Sequence, residues 1–374
     1  MTPRRADVPR ADPVDDAYAA ALLKSMVAIP SPSFGEAALA LHLLAETRAQ
    51  GFTSHLDAMG NLVAVTGRGD GPTIMLLGHM DTVAGSPPVR MSDRCLWGRG
   101  SVDAKGALAA FLCTARGLQD LPARIVVVGA VEEETPGSRG AVHVRDTMPP
   151  PDYLVVGEPS GWSSVVLGYK GKLDLTYRVT TPATHSSNPA AKAGELAAEF
   201  WFVLRELLGP DSSHTRFDRP GGTLLSLEAT MTHARADICV RTPPGFDVPA
   251  LLLELERRCP EGTVTVRNQV AAHRVNRTGP VATALSRAII DHGGTPRARV
   301  KTATSDLNTV AVRWQLPMAV YGPGDSALDH SDDEHIELDD YFRSIAVLHD
   351  ALTALATAPR PTSASLAALT DSTG

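Results

Sequence analysis

Imidazoles and carboxylates recur in this 374-residue chain at the ends of short apolar runs, and both are ligands for a hard or borderline cation. Gly78-His79-Met80-Asp81 closes the run 73–77. An imidazole there can hold a cation while a carboxylate two residues on takes its other ring nitrogen. A turn with a surface histidine explains the tetrapeptide equally well. Asp103 lies in the glycine-rich stretch 98–106 (GRGSVDAKG), which either presents its carboxylate to an ion or uses it as the N-cap of the next helix. The spacing GxxxxGK[ST] is absent, which argues against a phosphate cradle. Glu132, Glu133 and Glu134 follow the aliphatic run 125–131, where adjacent charges are costly to desolvate without cations or protons. A solvated charge run or a helix N-terminus would also accept them. Glu158, after Val155-Val156-Gly157, and His330, at the end of the loop 322–330, repeat the pattern. Oxygen and imidazole donors without a thiolate suit Zn²⁺, Mn²⁺ or Co²⁺ in a catalytic setting.

The elements that must position these residues can be read from hydrophobic texture. Short β-branched or aliphatic runs at 61–65, 73–77, 124–131, 153–156 and 318–321 read as strands, with helices at 105–118 and 138–147. Helices at 17–29 and 36–50 precede them. Strands alternating with helices, nearly continuous in hydrophobicity, imply an α/β domain, a mixed sheet covered by helices on both faces. The chemistry falls at the strands' carboxyl ends, where open α/β sheets bind ligands. The middle of the chain differs: strand 172–180, helix 190–208, strands 222–231 and 236–241, helix 248–258, strand 263–266. That β-α-β-β-α-β order predicts an inserted α+β, ferredoxin-like domain at 168–276, interrupting a first domain of 1–167 and 277–374. The ends, 1–16 and 357–374, offer no periodic apolar face and read as disordered.

Composition excludes other classes. Thirty-five basic against 42 acidic residues give a net charge of −7, which disfavours nucleic acid or an anionic membrane as partner. Four widely spaced cysteines form no disulfide framework and no thiolate zinc site. No run approaches the ~18 apolar residues of a membrane span, and the start lacks the apolar core of a secretory signal, so the expected location is the cytoplasm.

In order along the chain, the motifs GHMDTV, GRGSVDAKG, EEE, GEPS, THSSNP and GPG…H resemble those of the dinuclear-zinc amide hydrolases. That family includes acetylornithine deacetylase, succinyl-diaminopimelate desuccinylase, aminoacylase and glutamate carboxypeptidase. The resemblance spans about residues 22–355 and implies two Zn²⁺ ions, with Co²⁺ or Mn²⁺ as substitutes. One ion would have His79, Asp103 and Glu158; the other Asp103, Glu134 and His330. Asp103 would bridge them, Asp81 would orient His79, and Glu133 would be the general base. The family's usual Asp-Glu-Glu reads Glu132-Glu133-Glu134 here, so base and ligand are assigned by register within the run. His185 alone reads as a helix-entry histidine beside serine caps. The resemblance instead makes it an oxyanion donor to the partner's site in a homodimer formed through the inserted domain. Arg241 or Arg274 would bind the product carboxylate. Residues 157–162, 167–172 and 301–308 look most like the hydrolases that release lysine or ornithine from a small acidic amino-group carrier protein, by cleaving a γ-glutamyl isopeptide bond. An N-acyl amino acid deacylase is the alternative the family offers.

Overall fold

The computed structural model describes residues 15–358; the expectations for 1–14 and 359–374 lie outside them. At the inner margins helix replaces the expected disorder. Asp15 accepts the Ala17 N–H at 2.9 Å and caps the helix Asp16–Ala28. Thr357 closes the helix Leu338–Thr357, whose buried stripe continues through Leu355 and Ala356. Two compact units divide the chain.

The first unit takes residues up to 167, 275–299 and 313 onward. Its mixed sheet runs Thr53–Leu56, Leu62–Thr66, Arg124–Ala130, Thr73–His79, Tyr153–Val156, Met318–Val320, with Ser164–Tyr169 beyond. Thr73–His79 is parallel to both its neighbours, and Met318–Val320 is parallel to Tyr153–Val156. Four parallel strands therefore end on the same edge; His79 is the last residue of one, and the triplet Glu132–Glu134 and Glu158 follow the ends of two others. Successive residues of a strand point to opposite faces. Thr73–His79 and Arg124–Ala130 are buried at every position but the first, so both faces are covered. The alanine-rich helix Lys105–Gly117 packs on the sheet closely enough that a Cβ on Gly157 would sit 2.7 Å from the Phe111 ring. Buried Lys105 donates to the Met26 and Ile29 carbonyls, where a helix end favours a cation. Desolvation pulls its pKa down to about 8. A small antiparallel sheet joins Arg90–Met91, Cys95–Trp97 and His335–Glu337.

The second unit comprises Gly168–Arg274 and Val300–Val312. Its antiparallel sheet has the order Gly221–Ala229, His233–Thr242, Gly171–Thr180, Gly262–Val270. In chain order that is second, third, first, fourth, the ferredoxin-like arrangement. The helices Ala193–Leu208 and Val248–Arg258 supply the other half of its core, where Tyr177 and Phe200 stack at 4.1 Å. Residues 300–312 correct the expected boundary. The Asn308 amide donates to the Lys170 and Ala271 carbonyls, and the Lys170 N–H donates to the Lys301 carbonyl. Those bonds tie the segment to the insertion rather than to the flanking chain.

Asn61 connects the first sheet to the triplet. Fully buried, it accepts the Val131 N–H at 3.0 Å and donates to the Gly140 carbonyl at 3.1 Å and to Asp57 at 2.8 Å. Asn61→Ala strands a buried donor and a buried acceptor. The expected loss is about 2–4 kcal/mol, read from urea unfolding of the first unit. A loss below about 0.5 kcal/mol would contradict this account.

Candidate metal centre

The candidate ligands of the first unit come together in two groups, each with its potential ligand atoms within 4.8 Å of one another: His79, Asp103 and Glu158, and Asp103, Glu134 and His330. Asp103 belongs to both. Its Oδ1 lies 3.3 Å from His79 Nε2, and its Oδ2 lies 3.1 Å from His330 Nε2. Glu134 Oε1 approaches the same His330 nitrogen at 3.0 Å. Asp103 does not cap the helix Lys105–Gly117; Ala104 holds that position without a side-chain bond.

The chemistry of the donors fits a cation. His79 Nδ1 lies 2.9 Å from the Asp81 carbonyl oxygen, which can only accept, so that nitrogen carries a proton. In the neutral ring Nε2 then presents a lone pair. It is buried without a hydrogen-bond partner and faces the Asp103 carboxylate. Two acceptors at that separation need a positive charge between them, a proton or a metal ion. The titration directions agree. Burial disfavours a charged His79, yet Asp103, Asp81 and Glu133 outweigh it and raise its pKa well above the usual imidazole value. Hydrogen bonds to Asp103 and Glu134 push His330 up to about 10. Burial would raise Asp103, but the imidazoles of His330 and His79 hold it below the ordinary carboxylate range.

Asp81 orients His79 through its backbone carbonyl, while its carboxylate lies 3.5 Å from the ring. That carboxylate, fully buried, holds the triplet. It accepts the N–H of Glu133 at 2.9 Å, the N–H of Glu134 at 3.0 Å and the Ser33 hydroxyl at 2.8 Å. The Glu132 N–H goes to Glu36 at 3.1 Å. Glu132 has φ +60°, a left-handed turn that separates it from its neighbours, and its carboxylate pairs with Arg139 at 3.4 Å. Glu134 is thereby left in the second group, and Glu133, half-buried, stands close enough to affect His79. His330 also has a positive φ, +61°.

His185 lies in neither group. It is exposed in the second unit before the helix Ala193–Leu208, with Nδ1 2.7 Å from the Ser187 hydroxyl. Arg241 and Arg274 are also in the second unit, Arg241 donating to Thr304 at 3.1 Å and Arg274 exposed. Sequence reasoning did not single out Ser33, Glu36, Asn61, Arg99 or Glu334, all of which hold the segments that carry the groups. Their signal is distance in space between residues far apart in the chain, which no motif records.

Residues 75–354 match the model of Peptidase family M20/M25/M40, and the chain belongs to that family. It is 40% identical over 361 residues to the [LysW]-lysine hydrolase of Deinococcus radiodurans, covering 92% of this chain and 99% of the relative. With the [LysW]-lysine/[LysW]-ornithine hydrolase of Saccharolobus solfataricus it shares 28% identity over 284 residues, 74% and 79% of the two chains. Among solved structures, aminopeptidase PepT from Bacillus cereus superposes with a TM-score of 0.77 at 17% identity, over 92% of this chain and 99% of that one, which shows the shared fold.

Folding raises the His330 pKa from 6.5 to about 10, so its contribution to stability is full below pH 6.5 and is lost as the pH rises through 10. His330→Ala should lower the melting temperature of the metal-free chain at about pH 6 and leave it unchanged above about pH 10.5. A penalty that grows with pH would contradict the charge distribution described here.

Proposed function

We propose that this chain is a dinuclear-zinc amidohydrolase that cleaves a γ-glutamyl isopeptide bond, releasing lysine, ornithine or a related amino acid from a small acidic amino-group carrier protein. The observation that carries the reading is Asp103, whose two oxygens face different imidazoles in two ligand groups. Support for the substrate class comes from the relatives, named [LysW]-lysine hydrolase and [LysW]-lysine/[LysW]-ornithine hydrolase. Among the described residues no helix is long and apolar enough to cross a membrane. We place the enzyme in the cytoplasm and as a homodimer.

His79, Asp103 and Glu158 would hold one ion, and Asp103, Glu134 and His330 the other. When bound, a pair of Zn²⁺ ions, with Co²⁺ or Mn²⁺ as substitutes, supplies Lewis acidity that polarises the scissile carbonyl and acidifies water to near neutrality. Glu133 takes the proton of the attacking water and returns it to the leaving amine. Its N–H bond to Asp81 fixes the backbone from which it works. His185 of the partner subunit donates to the oxyanion of the tetrahedral intermediate. Arg241 or Arg274 binds the free carboxylate of the amino acid, since a guanidinium fork matches it.

Release of lysine and ornithine from the carrier-linked conjugate should exceed hydrolysis of acetylornithine and succinyl-diaminopimelate by the zinc-loaded enzyme. Glu133→Gln should keep its metal and lose about 10²–10⁴-fold in kcat. Faster turnover of either small N-acyl substrate would overturn the carrier reading, and near-normal kcat in Glu133→Gln would overturn the assignment of the base.

Chain exchange tests the shared site. Inactive His185→Ala and inactive Glu133→Ala chains, co-refolded, form mixed dimers in which one site has its own Glu133 and the partner's His185. About half of the sites in each mixed dimer should therefore work. No recovery despite demonstrated exchange would place His185 in its own chain's site or in none.

A further inference from the structure

The loops that deliver two of the three residues of the second group, Asp103 and His330, from distant parts of the chain are joined by a buried ion pair. Arg99 stands four residues before Asp103, and Glu334 four residues after His330. Arg99 Nη1 lies 2.7 Å from Glu334 Oε2, with side chains 9% and 1% exposed. The other Glu334 oxygen accepts two backbone donors of the ligand loop, the N–H of Val102 at 2.9 Å and the N–H of Asp103 itself at 3.1 Å. Arg99 reaches the other way, donating to the Ser331 carbonyl at 3.1 Å, one residue past His330. The Gly98 N–H donates to the Glu334 carbonyl at 3.0 Å, and the strands Cys95–Trp97 and His335–Glu337 extend the pairing.

We propose that Arg99 and Glu334 are positioning residues that set the separation of Asp103 from His330 and thereby the affinity of the second ion site; this rests on the dinuclear reading. Neither side chain is among the ligand groups, and both work through the segments they hold. Asp103 serves both groups, so the larger effect falls on the second through His330, whose segment the pair also holds. His79 ends a buried strand, and its place does not depend on the pair. His330 sits in a loop with φ +61° and a side chain 47% exposed, so beyond its own contacts with Asp103 and Glu134 its place rests on the backbone that this pair holds at Ser331. A buried ion pair is weak evidence for stability, but breaking it leaves an uncompensated charge and frees the segments it joined. Residues that orient ligands in this way typically change metal affinity by about 10–100-fold.

The test is a titration of the metal-free chain with Co²⁺, following the visible absorption bands of each ion as it binds, together with melting of the metal-free chain. The wild-type chain should take up two Co²⁺ per chain. Glu334→Gln, which keeps the shape but turns one oxygen into a donor facing Arg99, should bind the first with little change and the second about 10–100-fold more weakly. Arg99→Lys keeps the charge on a shorter stem and should show the same selective loss in smaller measure. It carries the test alone if Glu334→Gln does not fold. Undiminished affinity for both ions overturns the proposal while leaving the dinuclear reading standing. Equal weakening of both ions, in step with a lower melting temperature of the metal-free chain, makes the pair a general prop and also overturns it. A wild-type chain that binds a single Co²⁺ overturns both readings.

Discussion

Negative charge is concentrated at one edge of a buried sheet, and much of the first unit is arranged to hold it there. Asp103, Glu134 and Glu158 stand around two imidazoles, and Glu133 and Asp81 lie within electrostatic reach of His79. Carboxylates so close together repel, and burial makes each charge costlier. Two devices offset this. One is the demand for cations, visible in the raised pKa values of both imidazoles. The other is a supply of backbone donors. Asp81 takes two N–H groups of the triplet, Glu36 the third, and Glu334 two from the Asp103 loop.

Carboxylates therefore serve in two capacities. Asp103, Glu134 and Glu158 belong to the two groups that could hold an ion, whereas Asp81, Glu36 and Glu334 grip the chain segments that carry them. Asp81 also adds negative potential around the ligand groups: burial would raise its pKa, but His79 beside it holds it below the ordinary carboxylate value. In Asp81, support and electrostatics come from the same group.

How much of this was legible in the sequence depends on whether the information is local. The strands Thr73–His79 and Arg124–Ala130 announce themselves because both faces are buried, leaving unbroken aliphatic runs. The helix Leu338–Thr357 was not read from the sequence, although Leu338, Tyr341, Ile345, Leu348, Leu352 and Leu355 recur at spacings of three and four. His79, Asp103, Glu134, Glu158 and His330 could be picked out from their places after apolar runs and from the order of the motifs. Glu334 could not: it reads as one more acid in the run Asp332-Asp333-Glu334, and its partners Arg99 and Val102 lie more than 230 residues earlier. Residues 300–312 were misassigned for the same reason. The Asn308 amide, bonded to the carbonyls of Lys170 and Ala271, and the Lys301 carbonyl, bonded to the Lys170 N–H, reveal which unit they join. The left-handed turn at Glu132, which decides what each glutamate of the triplet faces, is likewise a property of the folded chain.

The interruption of the first unit by the second has a consequence for the order in which a ribosome delivers the site. His79, Asp103 and Glu158 all precede residue 168, where the insertion begins. A growing chain thus possesses one complete set of donors while the other set consists of Asp103 and Glu134 alone. More than one hundred further residues must be made before Met318–Val320 can enter the sheet beside Tyr153–Val156 and bring His330 behind it. Assembly of the two groups is sequential by construction, and the second is complete only once His330 has been made.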